Sequence, residues 1–480
     1  MSSLSEKTNG GKGDEPARDV PEKTRGENAL TEEISRLDAE HSWHPFTQMR
    51  EYLEFPRLQI ARGKGCWLYD TEGKKYLDAN ASIWTNTLGH CDADLDAALR
   101  EQLGAVAHST MLGLSSIPSA RLAGTLAALT QNRLPRVFFS DCGAAAVEVA
   151  VKLSFQYWQL VGEPQRTGVI AMSDAYHGDT FGAMALGDCG AFHSRFKHWF
   201  FPVDRFPAPE CVEVHGNVLH ADARRSLEAL EAILEKKSDT TACVLIEPEI
   251  QGSGGMKLQP PGFVEAVSAL CKNYGVHLIL DEIFVGFGRT GKFLIEENRR
   301  GIDPDFVCVG KGLTGGYMPL AATLAREEIY EAFLGSFDEY KAFFHGHTFT
   351  GNPLACAVAQ KNYEKIAALI ASGTLADSID YLGRRVEETF AGHAHVREIR
   401  QRGMVAALDL FAGAGKPDWE VGARTGMKIC MHARERGLIL RPLVDTLVFI
   451  PPLVISHDEI DFLVENTRAS IDEFLASRGE

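Results

Sequence analysis

Two charged residues close successive apolar runs in this chain. Leu278-Ile-Leu-Asp281-Glu-Ile283 puts an acid at the end of one run, and Phe306-Val-Cys-Val-Gly310-Lys311 puts a lysine at the end of the next. Ligands of open α/β sheets bind at the carboxyl ends of the strands. A lysine placed there can lose its water, which lowers its pKa and leaves an amine able to condense with a carbonyl. An acid paired with such a lysine meets the requirement of pyridoxal phosphate, whose ring nitrogen the acid keeps protonated and whose aldehyde the lysine holds. Taken singly, Asp281 also fits a helix cap or a structural ion pair, and Lys311 a surface lysine. Their placement at successive strand ends weakens both plain readings.

Other residues could complete such a site. Ser140-Asp-Cys142-Gly143-Ala144 follows an apolar run and opens a helical one. Amides at a helix N-terminus bind anions, although a simple strand-to-helix turn reads the same way. Gly346-His347-Thr348, followed by Gly351-Asn-Pro353, is a second phosphate candidate. Tyr176, in Tyr-His-Gly-Asp, could cover one face of a flat ring with Ile283 on the other. Trp84 fits a substrate wall or a core tryptophan, and Arg441 a carboxylate clamp or a surface ion pair. Gly286-Phe-Gly288-Arg-Thr-Gly291 matches the dinucleotide fingerprint, in which an acid ends the following strand. Here Asp305 precedes that strand, and the stretch 292–303 is short and broken. A nicotinamide site is therefore set aside.

The elements that must hold these residues alternate. Strand-like runs at 136–140, 168–173, 242–247, 277–281 and 305–309 are separated by helical spacing at 144–160, 222–236 and 261–274. Continuous apolar strands between helices predict an α/β fold with a mostly parallel sheet covered on both faces. Before it lie a helix from Thr31, strands around a turn within 56–78, and helical spacing at 92–112 and 118–129. From about Ile370 the pattern becomes helix, strands near 396–412, a helix near 423–436 and strands near 438–454, an α+β unit. The expected division is a disordered tail at 1–28, a small-domain segment at 29–80, a large cofactor-binding domain at 81–369 and a small domain at 370–480.

Length and composition agree with this. The 480 residues are 45% hydrophobic and 24% charged, with a net charge of −16. That acidity argues against a nucleic-acid partner. The ten cysteines are scattered without a C-x-x-C pair, as reduced cysteines of a cytoplasmic protein are. No apolar stretch is long enough to cross a membrane, and the polar first residues lack the features of a signal or transit peptide.

The motifs together are recognisable. Tyr176-His-Gly-Asp-Thr, Asp281-Glu-Ile with Gly-Phe-Gly-Arg-Thr-Gly, Gly310-Lys311-Gly-Leu-Thr-Gly-Gly and Thr348-Phe-Thr-Gly-Asn-Pro resemble the class III pyridoxal-phosphate aminotransferases, of fold type I. The resemblance spans about residues 40–465. Trp43-His44-Pro45-Phe46-Thr47, Gln156-Tyr-Trp158 and Arg441-Pro are most similar to the biotin-pathway branch. It implies pyridoxal 5′-phosphate as cofactor and 8-amino-7-oxononanoate as amino acceptor, with S-adenosylmethionine or lysine as donor. It implies that Lys311 holds the cofactor and moves the proton, and that Asp281 pairs with the ring nitrogen. Gly143 and Ala144 would bind phosphate from one subunit and His347 and Thr348 from the other, so a homodimer is expected. Tyr176 and Trp84 would line ring and substrate, Gly346 would sit beside the substrate, and Arg441 would meet its carboxylate.

Departures from the family pattern concern the pocket. Cys142-Gly143-Ala144 replaces a common Ser-Gly-Ser, Phe46 a frequent substrate-side tyrosine, His347 a frequent proline and Val448 a late pocket tyrosine. The last three bear on the donor. Alternatives are another class III aminotransferase, acting on an ω-amino acid, diamine or amine, and a non-catalytic cofactor-binding protein.

Overall fold

A computed structural model describes residues 25–187, 189–215, 218–295 and 301–479. The expected tail lies outside them except for its last residues, which open the helix Arg25–His41. Two compact units result. The smaller runs to Arg62 and includes Tyr69–Lys74; the larger comprises Gly63–Leu68 and everything from Lys75 onward. In the smaller unit Asp38 accepts from the Tyr52 hydroxyl at 2.6 Å and meets His44 Nε2 at 2.8 Å. Those bonds, the tyrosine's first, lower the Asp38 pKa against its partial burial.

The larger unit is built on a seven-stranded sheet. Its order is Arg136–Ser140, Ala321–Ala325, Phe306–Val309, His277–Asp281, Thr241–Ile246, Gly168–Met172 and Asp204–Phe206. All neighbours are parallel except Ala321–Ala325, which runs antiparallel to both strands beside it. The central strands are apolar and buried throughout because both faces are covered. Register decides what meets at the sheet's end. Leu280 lies opposite Ile246 and Asp281 opposite Cys308. The chain therefore leaves three neighbouring strands through Glu247, Asp281 and the Gly310-Lys311 pair.

The helix Gly143–Leu160 packs on this sheet through Ala146, Val147 and Ala150. Among the described residues no side chain caps its start. The first N–H groups of a helix have no partner within it, so these are left for a ligand.

Towards the C-terminus Val396–Arg402, Val405–Leu410, Thr446–Phe449 and Arg441–Leu443 form an antiparallel sheet. Thr374–Phe390, Thr425–Glu435 and His457–Ser477 are its accompanying helices. Leu438–Ile439 pairs in parallel with Lys75–Asp78.

Several expectations shift. The first helix begins at Arg25 rather than Thr31, and the helix expected over 92–112 is Ala93–Ala105, ending where Val106 turns extended. The strand Ala321–Ala325 escapes notice because Ala-Ala-Thr-Leu-Ala is small and only weakly apolar. The pair Glu210–His215 and Val218–Asp222, and the helix His457–Ser477, are further additions. Among the described residues no helix is long and apolar enough to cross a membrane.

Candidate active site

The strand ends, the Gly143 helix terminus and the Tyr176 loop enclose one cavity of about 500 Å³. Gly143, Ala144, Tyr176, Asp281, Ile283, Lys311 and Trp84 all line it, as do Cys142, His177, Asp179, Glu247 and Phe284. The volume lies in the range of small-molecule sites.

Asp281 is 4% exposed and held from two sides. Its Oδ1 accepts from Ile283 N at 3.1 Å, and its Oδ2 lies 2.7 Å from His177 Nδ1. An ionised carboxylate only accepts, so the histidine proton sits on Nδ1. Among the described residues Nε2 of this buried ring has no partner. Glu247 is also buried; its two oxygens accept from Tyr176 N at 2.9 Å and Gly252 N at 3.0 Å. Burial pushes its carboxyl up to about 7, against the pull of His177 and with a further push from Asp281. Burial lowers the pKa of the Lys311 amine, opposed by Asp281, Glu247 and Asp179. Lys311 Nζ stands 5.4 Å from the Trp84 ring centroid, and Phe284 packs on that ring at 4.6 Å.

Tyr176 donates its hydroxyl to Asp179 Oδ2 at 2.7 Å. Burial and that bond raise its pKa, so the group stays a neutral phenol in the physiological range. Two glycines let the loops approach the helix terminus. A Cβ on Gly178 would stand 2.3 Å from Ala144 Cβ, and one on Gly143 2.9 Å from Ile283 Cδ1.

Trp84 arrives on an unusual turn. Ala81, Ser82, Ile83 and Trp84 have φ of 42°, 48°, 65° and 70°. Non-glycine residues pay roughly 1–2 kcal/mol each in this region.

The remaining predicted residues lie elsewhere. Gly346, His347 and Thr348 are exposed and do not line the cavity of their own chain; His347 Nδ1 meets Asp141 Oδ1 at 2.6 Å. Arg441 is half-buried on Arg441–Leu443, with its pKa lowered by burial, and is not part of the cavity lining. Phe46 belongs to the smaller unit, 57% exposed with φ 50°. Val448 is 1% exposed, opposite Arg441. The Gly286–Gly291 motif is a buried turn. Gly288 packs on Leu453, and Arg289 donates to Pro451 O at 2.6 Å and Met404 O at 3.3 Å.

His177 and Glu247 are the residues that motif reading passes over. Glu247 had a signal, since it closes its apolar run as Asp281 does. His177 had none beyond lying next to Tyr176.

An acid, a desolvated amine, an uncapped helix start and an aromatic face thus converge on one pocket. The family model described as aminotransferase class-III matches residues 47–471. The adenosylmethionine-8-amino-7-oxononanoate aminotransferase of Geobacter sulfurreducens is 43% identical over 92% of this chain and 98% of its own. The crystal structure of the protein of that name from Methanocaldococcus jannaschii has a TM-score of 0.87 at 37% identity, covering 92% of this chain and 99% of that one. An amine transaminase from an uncultivated Pseudomonas species, solved in a PLP-bound form, has a TM-score of 0.83 at 30% identity, covering 90% and 99%.

Proposed function

Because the chain belongs to the class III aminotransferases, we propose that it passes an amino group to the ketone of 8-amino-7-oxononanoate, with pyridoxal 5′-phosphate as cofactor. The product is 7,8-diaminononanoate, and the step is that of biotin synthesis. The name shared by relatives such as the Geobacter sulfurreducens protein carries the substrate. The observation that carries the chemistry is Lys311 and Asp281 lining one cavity with the uncapped start of Gly143–Leu160. That donor set fits the cofactor, offering amides for a phosphate, a buried acid for a ring nitrogen and an amine for an aldehyde.

When bound, the cofactor supplies an aldehyde that takes up the amine and a ring that draws off electrons. Lys311 holds the aldehyde and then moves a proton at the substrate carbon, as base and afterwards as acid. Asp281, oriented by His177, holds the proton on the ring nitrogen. The amides of Gly143 and Ala144 bind the phosphate, with one hydroxyl fewer because Ala144 stands there. Tyr176 and Ile283 pack on the ring, and Trp84 with Phe284 forms an apolar wall for the substrate chain. Arg441 receives the substrate carboxylate, and Phe46 and Gly346 lie beside the substrate.

His347 and Thr348 serve the neighbouring site of a homodimer, a reading supported by their exposure away from their own cavity. The pairing of Lys75–Asp78 with Leu438–Ile439, both in the larger unit, supports a small domain that draws on both sides of a large domain at 81–369. The free cysteines suit the reducing cytoplasm.

The donor is S-adenosylmethionine, the molecule named in the relatives. Phe46, His347 and Val448 favour lysine as the second reading.

The test is a half-reaction. The pyridoxal form is mixed with 7,8-diaminononanoate and the cofactor absorbance followed. Conversion to pyridoxamine phosphate with release of the keto product supports the reading. A loaded protein whose spectrum does not change overturns it in favour of another class III substrate. Repeating the assay with S-adenosylmethionine and with lysine then assigns the donor.

A further inference from the structure

The left-handed turn that carries Trp84 must be held from outside. Left-handed residues other than glycine normally occur singly. Four in succession persist only where their surroundings over-determine them. Asp78 is the group that does so. It is 1% exposed, and its Oδ2 accepts from both Ser82 N and Ser82 Oγ at 3.0 Å. Its Oδ1 lies 3.4 Å from Asn80 N. His90 Nε2 meets Oδ2 from the other side at 3.0 Å.

The clamp has its own support. His90 exchanges backbone hydrogen bonds with Gly65 in both directions, at 3.0 and 2.7 Å. Asn86 Nδ2 lies 3.2 Å from His90 Nδ1. A Cβ on Gly63 would stand 2.6 Å from His90 Cβ, so a side chain there would displace the imidazole. At the far end of the turn Trp84 Nε1 donates to Asn80 Oδ1 at 3.0 Å. Asp78 does not line the cavity, whereas Trp84 does.

We propose that Asp78, backed by His90, is a positioning residue that locks the turn Ala81–Trp84 and thereby sets the indole against which the acceptor chain packs. This rests on the reading of Trp84 as a substrate wall. It assigns Asp78 to acceptor recognition rather than to proton transfer.

Two readouts test it on the cofactor-loaded enzyme. In Asp78→Asn the KM for 8-amino-7-oxononanoate should rise about tenfold or more, the scale of a lost hydrogen bond to a charged group, while kcat stays within about threefold. In the Trp84→Ala background the same change should add nothing further, because it acts through the missing ring. Effects that multiply in the double variant, or an unchanged KM in Asp78→Asn, overturn the proposal.

The second readout does not depend on the substrate. The protein is labelled with 5-fluorotryptophan and the Trp84 fluorine signal identified by its loss in Trp84→Phe. That signal should move in Asp78→Asn; an unmoved signal in the folded variant refutes the clamp. If wild type fails to turn over 8-amino-7-oxononanoate, the substrate reading falls and the fluorine signal still decides on Asp78. Should Asp78→Asn not fold, Ser82→Ala removes the hydroxyl bond to Asp78, and His90→Gln removes the imidazole contacts with Asp78 and Asn86. Both should move the signal in the same direction, and an unmoved signal in both overturns the proposal.

Discussion

His177 Nδ1 and Asp281 Oδ2 lie 2.7 Å apart, with 0% and 4% of their side chains exposed. The pair joins the loop after one buried strand to the end of another. Asp281 is the acid that would face the cofactor ring nitrogen, so His177 would set its orientation through this bond. His177→Phe leaves a buried carboxylate oxygen without its donor, at a cost of about 1–3 kcal/mol or more. The half-reaction rate and the affinity for pyridoxal phosphate should fall about 10–100-fold. His177→Gln, which keeps an N–H, should lose much less. Both quantities are read by absorbance; a His177→Phe protein within about twofold of wild type would sink the assignment.

Glu247 makes stability depend on pH. Its folded pKa of about 7 lies above the ordinary 4.5, because burial penalises the charged form. The folded chain therefore holds this proton more tightly than the unfolded chain. The resulting stability is fully present below pH 4.5 and is lost as pH rises through 7. A shift of this size corresponds to up to about 3 kcal/mol. Glu247→Gln cannot ionise and escapes that loss. Its amide, however, cannot accept both the Tyr176 and the Gly252 N–H, at a constant cost of about 1 kcal/mol or more. In the cofactor-free protein the variant should melt below wild type at pH 5, and the gap should close or reverse by pH 8.5. A gap independent of pH would show that Glu247 does not titrate in this range.

Much of this site is legible in the sequence where one residue carries the signal alone. Lys311 and Asp281 each close an apolar run, and the strands His277–Asp281 and Arg136–Ser140 fall where the runs do. What depends on distant partners is not legible. His177 means nothing until the fold brings it to Asp281, 104 residues away. The turn Ala81–Trp84 contains no glycine, the residue that normally marks left-handed backbone. The helix His457–Ser477 does carry a local mark, a capping box between Ser456 and Glu459, but its mixed face weakens the apolar spacing. His347 and Thr348 illustrate another limit, since they lie away from the cavity of their own chain and the role proposed for them needs a second subunit.

Gly178 and Gly143 separate a rigid contact from a soft one. A Cβ on Gly178 would lie 2.3 Å from Ala144 Cβ and 2.8 Å from Ala144 Cα, and its φ is 122°. The helix terminus itself would have to move. A Cβ on Gly143 would meet side-chain atoms of Ile283, Cδ1 at 2.9 Å and Cγ2 at 3.0 Å, and no backbone. Overpacking against backbone costs about 1–3 kcal/mol. Gly178→Ala should therefore weaken pyridoxal phosphate binding at least about tenfold, and Gly143→Ala only a few-fold, with far-ultraviolet circular dichroism unchanged in both. The reverse order would mean that the start of Gly143–Leu160 is not what holds the phosphate.

Ile83 tests the strain in the turn directly. It has φ 65° and ψ 51°, the least favourable backbone for a β-branched residue, and is 46% exposed. Left-handed geometry costs it roughly 1–2 kcal/mol. Glycine pays none of that but loses roughly 0.5–1 kcal/mol through the greater freedom of the unfolded chain. The side chain, 46% exposed, gives up about half of its burial, roughly 1 kcal/mol. Ile83→Gly should therefore leave the Tm within about one or two degrees of wild type. In a right-handed helix the loss of a side chain to glycine would instead cost about 1 kcal/mol relative to alanine. A calorimetric scan of the cofactor-loaded protein decides between them. A Tm lowered by several degrees would mean that Ile83 stabilises the turn and that Asp78 has no strain to hold.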